Sequence, residues 1–139
     1  MVVLDTNHFS ELERDSSECQ RLRRRIEQSG EAPFTAVITA EEVMSGWLAR
    51  VRGKLPPERL IDAYNAFQNG LESLNGWTLL PWNADVSAIF ETLRQRGVRI
   101  GTLDLRIASI CLNYEATLLT RNLADFRQVP GLRVENWLD

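Results

Sequence analysis

One histidine, one lysine and two cysteines are all that this 139-residue chain carries of those three side-chain types, and each shortage removes a class of chemistry. Cys19 and Cys111 form no CxxC pair, and His8 stands apart from both, so a zinc site has no ligand spacing to build on. Nor do two cysteines in helix-like contexts make a disulfide scaffold; idle thiols in a cytosolic protein are expected. Long apolar runs are missing too: nothing approaches the ~20 residues needed to cross a bilayer. The N-terminus does not read as a signal peptide, because Asp5, His8, Glu11 and Glu13 interrupt the apolar start. A cytoplasmic location with no membrane partner is the expectation. Net charge is −3, so the whole-molecule field does not favour coating nucleic acid non-specifically.

What is present is ordinary globular material, 44% hydrophobic and 25% charged, read as a single domain over residues 1–139. Short apolar runs closed by polar residues predict strands at "VVLD" (2–5), "FTAVIT" (34–39), "WTLLPW" (77–82), "ATLLT" (116–120) and "LRVENW" (132–137). Helical spacing appears between them, over 16–29 and 40–52, and through "PPERLIDAYNAFQNGLESLN" with its prolines at the first turn. "NADVSAIFETLRQRG" has Asn83 as a cap and Gly97 as its stop. Residues 103–114 are apolar nearly all round, which predicts a buried helix. Strands alternating with helices argue for an α/β fold, a parallel sheet of four to five strands wrapped by helices. The arginines of "RLRRR" (21–25) are expected on a solvated helix face.

Acidic residues recur just after these strands. Asp5 closes the first, Glu41 and Glu42 follow the second, Asp104 opens the buried helix, and Asp125 sits five residues beyond Thr120. Each has a plain explanation. "TAEE" reads as a capping box with Thr39 at the N-cap, and "NLAD" reads the same way from Asn122; Asp104 would favour the positive end of a helix dipole. Capping does not ask for Asp5 at the end of an apolar strand, or for Asp104 within "IGTLDLRIASICL", where near-complete burial makes an uncompensated carboxylate costly. Carboxylates gathered at one sheet edge repel one another unless a cation sits among them. All-oxygen ligation suits Mg²⁺ or Mn²⁺, and such a site points to phosphate chemistry. His8 is expected to be a helix-start residue and not a general base.

Other acidic α/β sites fail on single residues. No GxxxxGK[ST] loop exists. A receiver domain needs a lysine at a late strand end, and Lys54 lies in the 50–58 connection. A haloacid-dehalogenase-type phosphatase needs DxD, and Asn7 stands in the second place.

"VVLDTN", "FTAVITAEEVMSG", "GTLDLRIASICL" and "LLTRNLADFRQVPGLRVENW", in this order and spanning essentially the whole chain, resemble the PIN-domain ribonucleases, and among them the VapC toxins of toxin–antitoxin pairs. The resemblance implies a PIN-like three-layer fold and a metal-dependent endoribonuclease that leaves a 5′-phosphate and a 3′-hydroxyl. It assigns Asp5, Glu42, Asp104 and Asp125 as the catalytic and metal-holding acids. Glu42 is preferred over its neighbour Glu41 because Gly46 follows it by four. Thr6 matches a hydroxyl supporting the first carboxylate, and Asn122 stands where some members carry a further aspartate, which leaves the number of metal ions open. Arg99, Arg106 and Arg121 are the candidates for holding RNA phosphates. Asp5→Ala should abolish activity without unfolding the protein, with relief of carboxylate repulsion working in favour of the fold.

The resemblance also implies partners: an RNA substrate, a small VapB-like antitoxin whose basic tail lies among the carboxylates, and a second copy in a homodimer. Trp47, Leu48 and Val51 are candidates for an interface, with ordinary core packing the alternative. An RNA-processing nuclease without an antitoxin and a non-catalytic RNA- or protein-binding PIN domain are the competing readings.

Overall fold

A computed structural model describes residues 1–139. Five parallel strands, β1 (Val2–Leu4), β2 (Pro33–Ala36), β3 (Leu79–Leu80), β4 (Thr117–Leu119) and β5 (Arg133–Glu135), form one sheet in the order β3-β2-β1-β4-β5. The helices are α1 (Thr6–Leu12), α2 (Ser17–Ser29), α3 (Val37–Arg52), α4 (Pro57–Asn75), α5 (Ala84–Gln95), α6 (Thr102–Asn113) and α7 (Leu123–Phe126). Central β1 pairs Val2 with Pro33 of β2 on one side and with Thr117 of β4 on the other. The chain builds outward from β1 through β2 and β3, then returns to its other side for β4 and β5. That reversal opens a crevice beyond the carboxyl ends of β1 and β4, where open α/β sheets bind ligands.

Alternating side chains split the core into two layers. Val3 and Leu118 face α5 and α6 with Phe90, Ile107, Ala108 and Ile110. Val2, Leu4 and Leu119 face the opposite way, onto Phe9, Leu12, Leu22 and Trp137. A fully buried side chain of this size contributes about 1.5–3 kcal/mol, so the strands are held by both faces. The α3–α4 pair packs closely because Gly70 lies under the Trp47 indole; a Cβ there would come within 2.2 Å of the ring. Trp47 also meets Phe67 edge-on, so it belongs to packing between helices, with Leu48 and Val51 half-buried beside it.

Several expected boundaries move. The run over 34–39 stops being a strand at Ala36, and Val37, Ile38 and Thr39 form the first turn of α3. Their β-branching reads as strand, but tertiary packing overrides that preference. Ala36 is therefore the N-cap and no side chain caps the helix, so the Thr39–Glu42 capping box does not form. Thr39 is buried, its hydroxyl without a hydrogen-bond partner. The "RLRRR" arginines are exposed as expected, yet three of them also hold backbone. Arg23 donates to Leu12 O, Arg21 to Leu138 O and Arg25 to Asn136 O. No helix is long and apolar enough to cross a membrane.

Candidate active site

Asp5 leaves β1 and immediately caps α1. Its Oδ1 accepts the His8 backbone N–H at 2.9 Å and faces His8 Nδ1 at 3.3 Å. His8, in the first turn of α1 as expected, is fully buried. The Trp137 N–H donates to its Nε2 at 3.2 Å, so the ring proton sits on Nδ1 and is directed at Asp5. Sequence reasoning missed this role; the D-x-x-H spacing across a helix start was the available signal. Capping also revises the expectation for Asp5→Ala, because the carboxylate that would relieve repulsion on removal is one that helps to hold the fold.

Glu42 lies in the second turn of α3, half-buried, and accepts the Thr6 hydroxyl at 2.8 Å. Thr6 therefore supports the second acid and not the first. The reason is the early start of α3: Glu42 falls beyond the N3 position that a capping box needs, and its side chain reaches α1. Glu41 is exposed. Asp125, in α7, accepts the Asn122 side-chain amide at 2.9 Å. Asn122 is the N-cap residue but makes no capping bond, so the amide orients Asp125 instead of closing the helix end.

Asp104 differs from these three. It sits in the first turn of α6, half-buried and not enclosed as its apolar neighbours suggested. No group donates a hydrogen bond to it. Burial, followed by the charges of Glu42, Asp5 and Asp125, raises its pKa above the ordinary 3.8. The charges of three acids from three other places in the fold thus converge on Asp104. No arginine or lysine pairs with any of them, and the one ring N–H among them is that of His8 against Asp5. Glu42 and Asp125 each accept at one oxygen and Asp5 at Oδ1 alone, which leaves a second oxygen open on each. This donor set fits a hard divalent cation in chemistry. In geometry it is open, for no three His, Cys, Asp or Glu side chains converge as a closed metal-holding group.

Beside the acids lies a cavity of about 700 Å³ whose wall includes Asp125, Thr102, Phe90 and three arginines, Arg94, Arg99 and Arg106. Arg94 pairs with Glu91 at 3.7 Å, whereas Arg99 and Arg106 have no acidic partner. Arg121 does not line it and instead pairs with Asp139 at 3.6 Å, because the C-terminal residues fold back over α2. Both cysteines are free and buried; burial and the nearby Asp5 charge push the Cys111 thiol far above its usual range.

The PIN-domain family model matches residues 2–132. The chain belongs to the PIN-domain family. Among relatives, it is 47% identical over 45 residues to ribonuclease VapC2 of Rickettsia felis, a match covering 32% of this chain and 34% of that one. It is 27% identical over 118 residues to the tRNA(fMet)-specific endonuclease VapC of Salmonella typhimurium, covering 85% of each. A toxin–antitoxin complex from Klebsiella pneumoniae contains a chain with the same fold, at TM-score 0.70 and 23% identity over 99% of this chain and 98% of that one. This PIN domain is accordingly a homologue of the VapC toxins, and its three-layer α/β architecture is the one that its sequence predicted.

Proposed function

We propose that this PIN domain is a Mg²⁺- or Mn²⁺-dependent endoribonuclease, the toxin member of a toxin–antitoxin pair. The observation that carries the reading is that the charges of Glu42, Asp5 and Asp125 all act on Asp104 at the sheet switch point, with no arginine or lysine paired to any of the four. Such a charge imbalance disfavours the fold unless a cation enters it. Asp5 and Asp104 would hold the ion, with Glu42 and Asp125 completing the set. When bound, the cation supplies activation of a water and neutralisation of charge at the scissile phosphate.

The chain's own residues do the positioning. His8 fixes Asp5, Thr6 fixes Glu42 and Asn122 fixes Asp125, so three of the four carboxylates are oriented before anything binds. Arg99 and Arg106 stand on the cavity wall next to Asp125, ready for flanking RNA phosphates. Without metal, the same carboxylates suit a basic side chain of a VapB-like antitoxin, and the toxin–antitoxin partnership of a structural neighbour supports that partner class. A homodimer is proposed on the family likeness.

The test is cleavage of a structured RNA pool by antitoxin-free protein with Mg²⁺, with Mn²⁺ and with EDTA, beside Asp5→Ala. Cleavage requiring both metal and Asp5 is expected, with 5′-phosphate ends on the products. Cleavage that survives EDTA or Asp5→Ala would refute this site.

A further inference from the structure

We propose that the cavity beside Asp125 is part of a nucleotide subsite, in which Arg99 and Arg106 take an RNA phosphate and Trp82, which stands outside the cavity wall against Arg106 and the buried Phe90, takes the unpaired base attached to it. The inference rests on the ribonuclease reading and adds to it a residue, Trp82, that would make the enzyme select unpaired RNA. Trp82 follows β3 at the same carboxyl edge that carries the acids, and 37% of its surface stays exposed. Its ring meets Phe90 edge-on, centroids 5.4 Å apart at 74°. The Arg106 guanidinium lies 6.0 Å from the Trp82 centroid and 5.8 Å from that of Phe90.

Arg106 is thus braced by two rings and has no carboxylate to neutralise it, which preorganises it for an incoming anion. Beside it is exposed aromatic surface, and base–aromatic stacking is sequence-tolerant because every base has a π-face. The cavity, about 700 Å³, falls within the range of pockets that hold small molecules. Asp125 shares its wall, so a nucleotide seated there lies one step from the acid cluster. An acidic protein segment could use the arginines but would leave the exposed Trp82 without a role. RNA uses both.

Anisotropy of a fluorescein-labelled, random-sequence octaribonucleotide, measured in EDTA across a salt series, tests this with cleavage switched off. Wild type should bind the single strand more tightly than the matching duplex. Trp82→Ala should weaken single-strand binding about tenfold with the salt slope unchanged, and Trp82→Phe should restore most of the loss. Arg106→Gln should also weaken binding while lowering the salt slope by about 0.7, one phosphate contact on a single strand. Wild-type affinity in Trp82→Ala, or equal losses on single strand and duplex, would overturn the subsite. So would tight binding of hexaglutamate in place of RNA, which would assign the cavity to an acidic protein segment. The two readings fail separately. Trp82-dependent RNA binding without metal-dependent cleavage removes the enzyme and keeps the subsite; Asp5-dependent cleavage with Kd and KM unchanged in both variants does the reverse.

Discussion

Two helices begin at the carboxyl edge of the sheet with an aspartate close to the first turn, and the fold treats the two in opposite ways. At α1, Asp5 is buried, caps the helix and faces the proton on His8 Nδ1. At α6, Asp104 is half-buried, receives no hydrogen bond and confronts three other carboxylates, with its pKa raised as the result. One carboxylate serves as scaffold and site together, while the other is a charge left unbalanced. The difference separates what folding requires from what it tolerates. A buried carboxylate with donors fits the native state, but one that faces only like charge weakens it and marks a place where function sets the residue.

Removing each carboxylate in turn is the most direct way to break that contrast. Asp5→Ala and Asp104→Asn should both reduce metal-dependent RNA cleavage to background. Their effects on stability should have opposite signs. Asp5→Ala deletes an N-cap and strands the His8 ring N–H, a loss of roughly 1–3 kcal/mol. Asp104→Asn should raise the unfolding midpoint instead, as read by denaturant melts in EDTA near neutral pH. Destabilisation in both would end the distinction.

The pH dependence sharpens the same point. Asp104 holds its proton more tightly when folded than at the ordinary 3.8, so the folded state binds more protons than the unfolded chain. Its contribution to stability is therefore full below pH 3.8 and is lost as pH rises through the raised value. Asp104→Asn should remove that decline from a series of melts in EDTA at increasing pH.

A smaller effect is expected at Thr6, whose hydroxyl gives Glu42 its 2.8 Å hydrogen bond. Thr6→Val should lower kcat/KM about 10- to 100-fold, the equivalent of roughly 1.5–3 kcal/mol for a bond to a charged group, with little change in the melt. A loss under threefold would show that Glu42 is oriented by something else. Least of all should change at Glu41, exposed one residue away. Glu41→Gln should keep kcat/KM within about twofold, and a large loss there would move the second acid from Glu42 to its neighbour.

Much of this arrangement was legible in the chain. A strand forms in each of the five runs, though only Leu79–Leu80 of the 77–82 run, and the Asn83 cap, the Gly97 stop in a left-handed turn and the buried α6 helix appear as read. The differences lie where two local preferences compete. "AVIT" has the composition of a strand and the geometry of a helix start, and the wrong boundary carried the Thr39 capping box with it. The capping alternative for Asn122 does not form, and its amide orients Asp125 in keeping with a supporting role. The apolar neighbours of Asp104 predict enclosure, but its position at the first turn of α6 leaves it half-buried.

Local chemistry was enough for the succession of strands and main helices, the parallel α/β class and the acids at strand and helix ends, with Glu42 set apart from Glu41 only by the family resemblance. Each of those follows from run length, periodicity and turn residues within about a dozen positions. Only the tertiary structure decided which hydroxyl serves which carboxylate, that a C-terminal backbone N–H sets the His8 ring, and that Arg106 is braced by Trp82 and Phe90. Those contacts join residues as far as 36 and 129 positions apart. Their meeting depends on a strand order in which β1 lies between β2 and β4, and no local pattern along the chain carries that order.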